Sequence, residues 1–387
     1  MKTIALHHNL AGLPASIYWK SVAIPIICVG GARPNFMKLA PLVRALGADP
    51  DFRVVLVHTG QHYDDRMSGS FFRELNIPAP DHHLEAGSGS HAQQTAEIMR
   101  RFEPVVEQEQ PGAVLVVGDV NSTLAASIVA KKMQVPVVHV EAGLRSGDRS
   151  MPEEINRLVT DSITDLFLVT EASGRANLLR EGVAESSIRM VGNLMIDSLL
   201  ANLERARAGS SIRATLGIAD APFGLVTLHR PANVDDPAQL RGILEALDEI
   251  AQVYPLYFPV HPRTRQRLEA LEAQNAPTGR LRLCEPLGYL DFLNLMSGAA
   301  VVLTDSGGIQ EETTALGIPC LTLRDNTERP VTIDEGSNIL AGTSRESILG
   351  AWKELQTNPR QGRVPALWDG QAAQRCRAAL REFFSLP

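Results

Sequence analysis

The sequence predicts an α/β protein made of two doubly wound parallel-sheet domains with a cleft between them. Short runs rich in valine, isoleucine and leucine alternate with longer segments of helical periodicity along the chain. Strands joined by helical crossovers form parallel sheets that are covered on both faces. In addition, the 387 residues exceed what one typical hydrophobic core holds, so two domains are expected.

The first half of the chain predicts strands and helices in strict alternation. The strands are expected at residues 22–29, 53–58, 113–117, 135–140 and 166–170, and the helices at 36–46, 90–109, 122–133, 152–163 and 171–181. We assign residues 22–205 to this first, Rossmann-like domain. Residues 1–21 have one lysine near their start and histidines that interrupt the apolar stretch. That composition favours an N-terminal extension over a targeting signal.

The same alternation starts again after a segment rich in alanine, arginine, glycine and serine at residues 202–211. The second set of strands is expected at residues 224–228, 257–260, 281–283, 300–304 and 320–323. We assign residues 206–366 to a second Rossmann-like domain. Residues 367–387 contain a last helix, near 372–384, and helical periodicity leaves open whether it packs back on the first domain.

Composition excludes several classes of protein. The formal net charge is −7 and no basic cluster stands out, which argues against a nucleic-acid partner. No apolar stretch is long enough to span a bilayer. The four cysteines, Cys28, Cys284, Cys320 and Cys376, are far apart in sequence. Such spacing indicates reduced thiols in a cytoplasmic protein and does not fit a structural zinc site.

Ligands of doubly wound sheets bind beyond the carboxyl ends of the strands, so the residues after each strand are the candidates for a site. A Gly-Gly-Ala-Arg turn ending at Arg33 follows the first strand. Glycines and a helix N-terminus there suit a phosphate group, although a plain turn with a surface arginine explains the pattern as well. Asp119 follows a strand and is either a helix cap or a catalytic acid. His229 ends another strand, where a histidine beside an arginine suits phosphate.

The turn Ser306-Gly307-Gly308 is a stronger signal, because it connects a buried strand directly to a helix. Its backbone N–H groups can hold a diphosphate, and Glu312, further along the helix, can accept ribose hydroxyls. Capping by Asp305 or Ser306 is the alternative, but capping does not require two consecutive glycines. We therefore favour nucleotide binding at this turn.

The stretch 139–157 carries charged residues of both signs, carboxylates and arginines, immediately after an apolar strand. Capping by acidic residues in the first turn explains the glutamates at 153 and 154, and Glu153 can pair with Arg157 four residues later. Capping does not explain Glu141. Together with Asp119 and Glu153, Glu141 would place three carboxylates around one point of the cleft.

Eight motifs in fixed order give the chain a family resemblance. They read GARPNFMKLAPLVRAL, TGQHYD, VVGDVNSTLAAS, HVEAGLRSGDRSMPEEINR, VGNLMIDSL, TLHRPAN, TDSGGIQEE and LRDNTERP. The chain resembles the UDP-N-acetylglucosamine 2-epimerase family, of the non-hydrolysing type, whose fold is similar to that of the two-domain GT-B glycosyltransferases.

The resemblance implies roles for individual residues. The family's catalytic acids match Asp119, Glu141 and Glu153, with Arg157 and His229 beside them. Its UDP-binding residues match Arg33, Lys38, Ser306, Gly307, Gly308 and Glu312, and Gln61 matches one residue of a regulatory site, although Asp64 stands where a glutamine is usual. Asn35 replaces a common acid, and Pro231-Ala232-Asn233 follows the His-Arg pair in place of Arg-Glu-Asn. The resemblance also implies UDP-N-acetylglucosamine as substrate, a homodimer, a role in surface polysaccharide biosynthesis, and no metal or nicotinamide cofactor.

The predicted activity is reversible epimerisation at C2, by elimination of UDP and its re-addition. Hydrolytic release of N-acetylmannosamine, or action on a related UDP-diacetamido sugar, remain alternatives within the same resemblance. A glycosyltransferase would need an acceptor site and no cluster of three acids. A UDP-sugar sensor that catalyses nothing would need the second-domain turn but none of the three acids.

Overall fold

Two parallel sheets, which follow one another along the chain, organise the molecule. The computed structural model describes residues 23–60, 72, 74–218, 221–260, 262–272, 280–360 and 362–387. The strands of the first sheet are β1 Ile24–Gly30, β2 Phe52–His58, β3 His82–His83, β4 Ala113–Val117, β5 Val137–Val140, β6 Leu166–Val169 and β7 Ile188–Met190. Those of the second are β8 Gly224–Thr227, β9 Leu256–Pro259, β10 Leu281–Cys284, β11 Val301–Thr304, β12 Cys320–Thr322 and β13 Asn338–Leu340. All paired strands are parallel, which confirms the predicted fold class.

Helices cover both sheets. In chain order they are α1 Arg33–Gly47, α2 His91–Glu109, α3 Asn121–Lys132, α4 Pro152–Ser162, α5 Ala172–Arg180, α6 Leu194–Gly209, α7 Ile212–Thr215, α8 Pro231–Val234, α9 Pro237–Ile250, α10 Pro262–Glu272, α11 Tyr289–Met296, α12 Gly307–Leu316, α13 Val331–Asp334, α14 Arg345–Thr357 and α15 Ala372–Phe383. No helix in the described part of the chain is both long and apolar enough to cross a membrane.

Each sheet has one point where the strand order reverses. The first sheet runs β3-β2-β1-β4-β5-β6-β7 and the second runs β10-β9-β8-β11-β12-β13. The chain therefore turns back between β1 and β4 in the first sheet, and between β8 and β11 in the second. We call these the first and second switch points. Crevices for ligands open at such points, beyond the carboxyl ends of the strands.

Strand burial explains why these segments form central strands. Every residue of β1 and of β4 is buried, as are those of β5, β6 and β11. Residues buried on both faces of a sheet produce continuous apolar runs, and β-branched side chains pack well on its pleated surface. Three of the four edge strands, β3, β7 and β13, have two or three residues each. They were absent from the sequence prediction, because such short segments carry no periodicity.

The helix α6 lies between the two halves of the molecule. It contacts α1 of the first half and both α11 and α12 of the second. A Cβ added at Gly308 of α12 would lie 3.3 Å from Cε of Met195 in α6. The boundary that we placed between residues 205 and 206 falls within this helix, and it stays a proposal.

The last helix, α15, contacts α1 and α6. The guanidinium Nη1 of Arg381 lies 2.8 Å from Oδ1 of Asp49. At the other end of α15, the carboxylate of Asp197 accepts hydrogen bonds from the backbone N–H groups of Ala372 and Ala373, at 3.0 and 2.8 Å. We therefore propose that the segment 367–387 belongs structurally with the first domain.

Candidate active site

The first switch point brings Lys38 and Glu141 together. Lys38 lies on α1 and Glu141 directly follows β5, and their ammonium and carboxylate form a buried ion pair through Oε2. A Cβ added at Gly118, the residue after β4, would lie 3.4 Å from that same oxygen. The ion pair therefore lies in van der Waals reach of the end of β4, where Gly118 has a φ of +70° that favours glycine.

Glu141 has a backbone φ of +69°, a left-handed conformation that non-glycine residues seldom adopt and that costs about 1–3 kcal/mol. Its side chain is only 4% exposed. Among the described residues, its second oxygen, Oε1, has no hydrogen-bond partner. A strained, buried carboxylate with an unused acceptor is a sound candidate for a reacting group.

Asp119 lies beside Glu141's strand and pairs with Arg157 of α4. The distance from Arg157 Nη2 to Asp119 Oδ2 is 2.5 Å. The other nitrogen, Nη1, lies 2.6 Å from Oε2 of Glu154. The expected pairing of Glu153 with Arg157 is wrong, because on a helix the residue three positions away is as close as the residue four away, and Glu154 occupies the position that Arg157 faces. Asp119 does not cap α3 either, whose N-cap is Val120.

Glu154 has a structural role in this arrangement. Its carboxylate accepts hydrogen bonds from the backbone N–H groups of Ser146 and Gly147, at 2.9 and 3.0 Å. It therefore holds the loop that follows Glu141. Glu153 is partly exposed in the first turn of α4, as the first-turn interpretation predicted, and its charge acts on Arg230 of the second domain.

His139 connects the loops that carry the two acids. Its Nε2 lies 3.0 Å from the carbonyl oxygen of Gly118 and its Nδ1 lies 2.7 Å from Oδ1 of Asp161. Asp161 also accepts a hydrogen bond of 3.0 Å from the backbone N–H of Gly143. The ring thus fixes the residue before Asp119, while Asp161 fixes the segment after Glu141. Burial raises the pKa of Asp161, but His139 and Arg145 outweigh burial and leave that pKa below its usual value.

The second switch point brings His229 and Asp305 together. Nδ1 of His229 lies 2.8 Å from Oδ1 of Asp305, and the histidine side chain is 55% exposed. The Asp305 carboxylate also accepts from the backbone N–H groups of His229 and Arg230, at 3.0 and 2.9 Å. Burial raises the pKa of Asp305, but these donors outweigh it and the net pKa is lowered. Asp305 therefore orients His229 and does not cap α12.

The Ser-Gly-Gly turn begins α12 as predicted. Ser306 is the N-cap residue, but its side chain makes no capping hydrogen bond. Ser306, Gly307 and Gly308 are all partly exposed. A hydroxyl without a capping partner, next to a helix N-terminus with free N–H groups, matches the requirements of an anion site.

Glu312, further along α12, is buried and accepts a hydrogen bond of 3.2 Å from the Tyr289 hydroxyl. Burial raises the pKa of Glu312 to about 8, although the tyrosine hydrogen bond acts in the opposite direction. The carboxyl is therefore largely protonated at neutral pH. It keeps both an acceptor and a donor for hydroxyl groups of a ligand.

The sequence prediction missed three buried charged residues. Glu311 and Arg329 form an ion pair at 2.5 Å, and they are 1% and 6% exposed. Glu171, after β6, is 4% exposed, and burial raises its pKa to about 7. Its position at a strand end was visible in the sequence, but its burial was not.

The structure does not describe the side chains of two other predicted site residues. Gln61, with Asp64, lies outside the described residues, and only the backbone of Arg33 is described, as the first residue of α1. Asn35 is fully described. Its amide accepts from the N–H of Ala32 at 3.1 Å and donates to the carbonyl of Val117 at 2.9 Å. An ionised acid could not donate the second bond, so this asparagine connects α1 to the end of β4.

Comparison with known proteins gives the arrangement a family. The sequence model of the UDP-N-acetylglucosamine 2-epimerase family matches residues 44–381. A UDP-N-acetylglucosamine 2-epimerase of Methanocaldococcus jannaschii is 42% identical over 352 residues, which cover 89% of this chain and 95% of that protein. The crystal structure of the M. jannaschii enzyme in complex with UDP-GlcNAc and UDP superposes with a TM-score of 0.85 at 40% identity, covering 93% of this chain and 100% of that one.

A relative with a different substrate name is almost as similar. The UDP-2,3-diacetamido-2,3-dideoxy-D-glucuronate 2-epimerase of Pseudomonas aeruginosa is 39% identical over 353 residues, which cover 90% of this chain and 97% of that protein. Both relatives are named as nucleotide-sugar 2-epimerases, a class of isomerase. The chain belongs to the UDP-N-acetylglucosamine 2-epimerase family, as its motifs predicted.

Proposed function

We propose that the protein interconverts UDP-N-acetylglucosamine and UDP-N-acetylmannosamine by inverting C2 of the sugar without hydrolysis. The observation that carries this proposal is the pairing of the two switch points. Buried acids lie at the first, and a Ser-Gly-Gly turn with His229 lies at the second. Arg329 of the second domain lies 3.9 Å from Glu141 of the first, so one ligand can contact both.

The C2 proton of such a sugar is not acidic, because no carbonyl is attached to that carbon. In the proposed first step the C1–O bond breaks, its electron pair leaves with UDP, and positive charge develops at C1. That charge acidifies the C2 proton, which a carboxylate takes, and the C2–H electron pair forms the C1–C2 double bond. The products of that step are 2-acetamidoglucal and UDP. In the second step an acid on the opposite face gives a proton to C2, and a UDP oxygen forms the new bond to C1.

The second switch point suits the leaving group. Developing negative charge on UDP is stabilised by donors that are already oriented, and here these are the α12 N-terminus, the Ser306 hydroxyl and the ring of His229. Lys38 is paired with Glu141, so its predicted contact with UDP would compete with that ion pair. We propose that Lys38 pairs with Glu141 in preference to UDP.

The first switch point suits the proton transfers. Removal and delivery on opposite faces need more than one acid or base. Asp119 and Glu141 extend from neighbouring strands, and Glu153 extends from α4. Arg157 holds Asp119, which leaves Glu141 as a buried carboxylate with one oxygen that makes no hydrogen bond to the described residues. We propose Glu141 as the group that transfers a proton at C2.

Proton NMR with UDP-N-acetylglucosamine in D2O, without added metal or nicotinamide, tests the proposal. UDP-N-acetylmannosamine with deuterium at C2 is the expected product. Free N-acetylmannosamine with UDP would assign the protein to the hydrolysing type. No reaction, with UDP binding confirmed separately, would contradict the proposed substrate.

The P. aeruginosa relative gives the second candidate a specific basis, because its identity to this chain is close to that of the M. jannaschii enzyme. The same NMR experiment with UDP-2,3-diacetamido-2,3-dideoxy-D-glucuronate should therefore run in parallel. A higher kcat/KM for this sugar would transfer the proposal to the uronate. We further propose a cytoplasmic homodimer that serves surface polysaccharide biosynthesis, which analytical ultracentrifugation and gene deletion would test.

A further inference from the structure

The motif LRDNTERP, which follows β12, has no role in the mechanism proposed above, yet it contributes a buried charge cluster. Arg324, Glu328 and Arg329 are at most 6% exposed. Arg324 Nη2 lies 2.7 Å from Oε2 of Glu328, and Arg329 Nη1 lies 3.0 Å from Oε1 of the same carboxylate. Two arginines therefore share one glutamate. Burial raises the pKa of Glu328, but the two guanidinium groups outweigh it and hold the pKa far below its usual range.

Only one of these two arginines contacts the first domain. Arg329 Nη2 lies 3.9 Å from Oε1 of Glu141, and its Nε lies 2.5 Å from Oε1 of Glu311. Within the described part of the chain, the ion pair and the side-chain hydrogen bond of Arg324 are both with residues of its own segment. The two residues thus have the same side chain, similar burial and a common partner, and they differ in whether they reach the candidate catalytic acid.

The contact concerns the one oxygen of Glu141 that has no hydrogen-bond partner among the described residues. Lys38 of the first domain pairs with Oε2, and Arg329 faces Oε1 from the second domain. The Glu141 carboxylate is therefore held between cations from the two domains. Removing Arg329 would leave Glu141 and Glu311 as buried carboxylates that face each other without the cation between them.

We propose that Arg329 is a positioning residue of the second domain that fixes the carboxylate of Glu141 across the domain boundary. The inference rests on the proposed function, in which Glu141 transfers the proton at C2. Arg329 belongs to the same domain as its partners Glu311 and Glu328. The domain that holds UDP therefore also sets the acid that acts on the sugar.

A double-mutant cycle on turnover tests the inference, with the variants R329Q, E141Q and R329Q/E141Q. If Arg329 acts through Glu141, R329Q lowers kcat about 100-fold alone and less than about 3-fold when E141Q is already present, because coupled residues are not additive. The affinity for UDP, measured by calorimetry, should change less than about 3-fold, since a positioning residue alters kcat and not nucleotide binding.

Arg324→Gln is the matched control. Its effect on kcat should be the same with and without E141Q, because Arg324 does not reach Glu141. Additive effects of R329Q and E141Q on kcat would overturn the inference, as would a loss of UDP affinity in R329Q that accounts for its loss of activity.

The unsubstituted protein and the three variants R329Q, E141Q and R329Q/E141Q are also unfolded in urea. This measurement gives a result that does not depend on turnover. A non-additive effect of the two substitutions on the unfolding midpoint is expected if the side chains interact. If the unsubstituted protein fails to epimerise UDP-N-acetylglucosamine while this coupling is present, the proposed function fails and the Arg329–Glu141 contact stands. Additive midpoints would remove the contact itself.

Discussion

At the first switch point the charged side chains are paired with each other, whereas the second presents a half-exposed histidine and a helix N-terminus. Lys38 pairs with Glu141 and Arg157 with Asp119. By contrast, Ser306 makes no capping bond and His229 is 55% exposed. The difference teaches that the same sheet topology supports two tasks. One crevice holds the candidate acids Glu141 and Asp119 in ion pairs, and the other leaves donors open for an anionic ligand.

The largest expected effect lies at the first switch point. Glu141→Gln should lower kcat by about 1000-fold or more, since it removes the proposed proton-transfer group. The affinity for UDP should stay within about 3-fold, because the proposed UDP site lies in the other domain. Turnover by NMR and UDP binding by calorimetry check both statements.

Glu103→Gln, an exposed position on α2, is the control for the charge change and should leave both quantities unaltered. Full turnover in Glu141→Gln would remove this carboxylate from the mechanism. It would also remove the distinction between a chemical and a binding crevice.

The next effect concerns Glu312 of α12, whose carboxyl is buried in the second domain. An acid whose folded pKa is raised stabilises the fold below its unfolded pKa, and that stability is lost as pH rises through the folded value. The window therefore runs from the ordinary value of 4.5 to about 8. Because each pKa unit corresponds to about 1.4 kcal/mol, the full shift from 4.5 to about 8 corresponds to about 5 kcal/mol. Glu312→Gln should therefore be more stable than the unsubstituted protein at pH 9, by up to about 5 kcal/mol.

Urea unfolding without ligand at pH 5 and pH 9 measures this difference. At pH 5 the two proteins should have nearly equal stability, because the carboxyl is then protonated in the fold. Glu269→Gln, an exposed position on α10, should show no gain between the two pH values. Equal stability of the Glu312 variant and the unsubstituted protein at pH 9 would contradict the assignment of a neutral carboxyl.

The smallest effect compares two serines that begin helices. Ser344 caps α14 through a hydrogen bond of 3.1 Å from the Ser347 N–H, whereas Ser306 caps nothing. Ser306→Ala should weaken UDP binding by about 10-fold, the loss of one hydrogen bond to a charged group, with little change in stability. Ser344→Ala should lower the free energy of unfolding by about 1 kcal/mol and leave UDP binding unchanged. The opposite pattern would assign Ser306 to the fold.

The sequence predicts the central strands well, because a strand buried on both faces must be apolar throughout, as β1 and β4 are. It also places Asp119, His229 and Ser306 at strand ends, since that position follows from the strand alone. The pairing of charges is less accessible. Helical spacing allows Arg157 to pair with either Glu153 or Glu154. In the structure it pairs with Glu154. The sequence did not predict roles for Glu171 and Arg329, because only the packed structure shows that their charges are buried.

The ion pair between Arg381 and Asp49 joins residues that are 332 positions apart. During synthesis at roughly 5–20 residues per second, α1 and its sheet leave the ribosome well before the helix that covers them. The surface of α1 that α15 later covers therefore stays uncovered while the entire second domain is synthesised. That interval exposes apolar surface to other nascent chains. A ribosome stalled before residue 372 should hold a first domain that is more sensitive to protease than the same domain in the released protein.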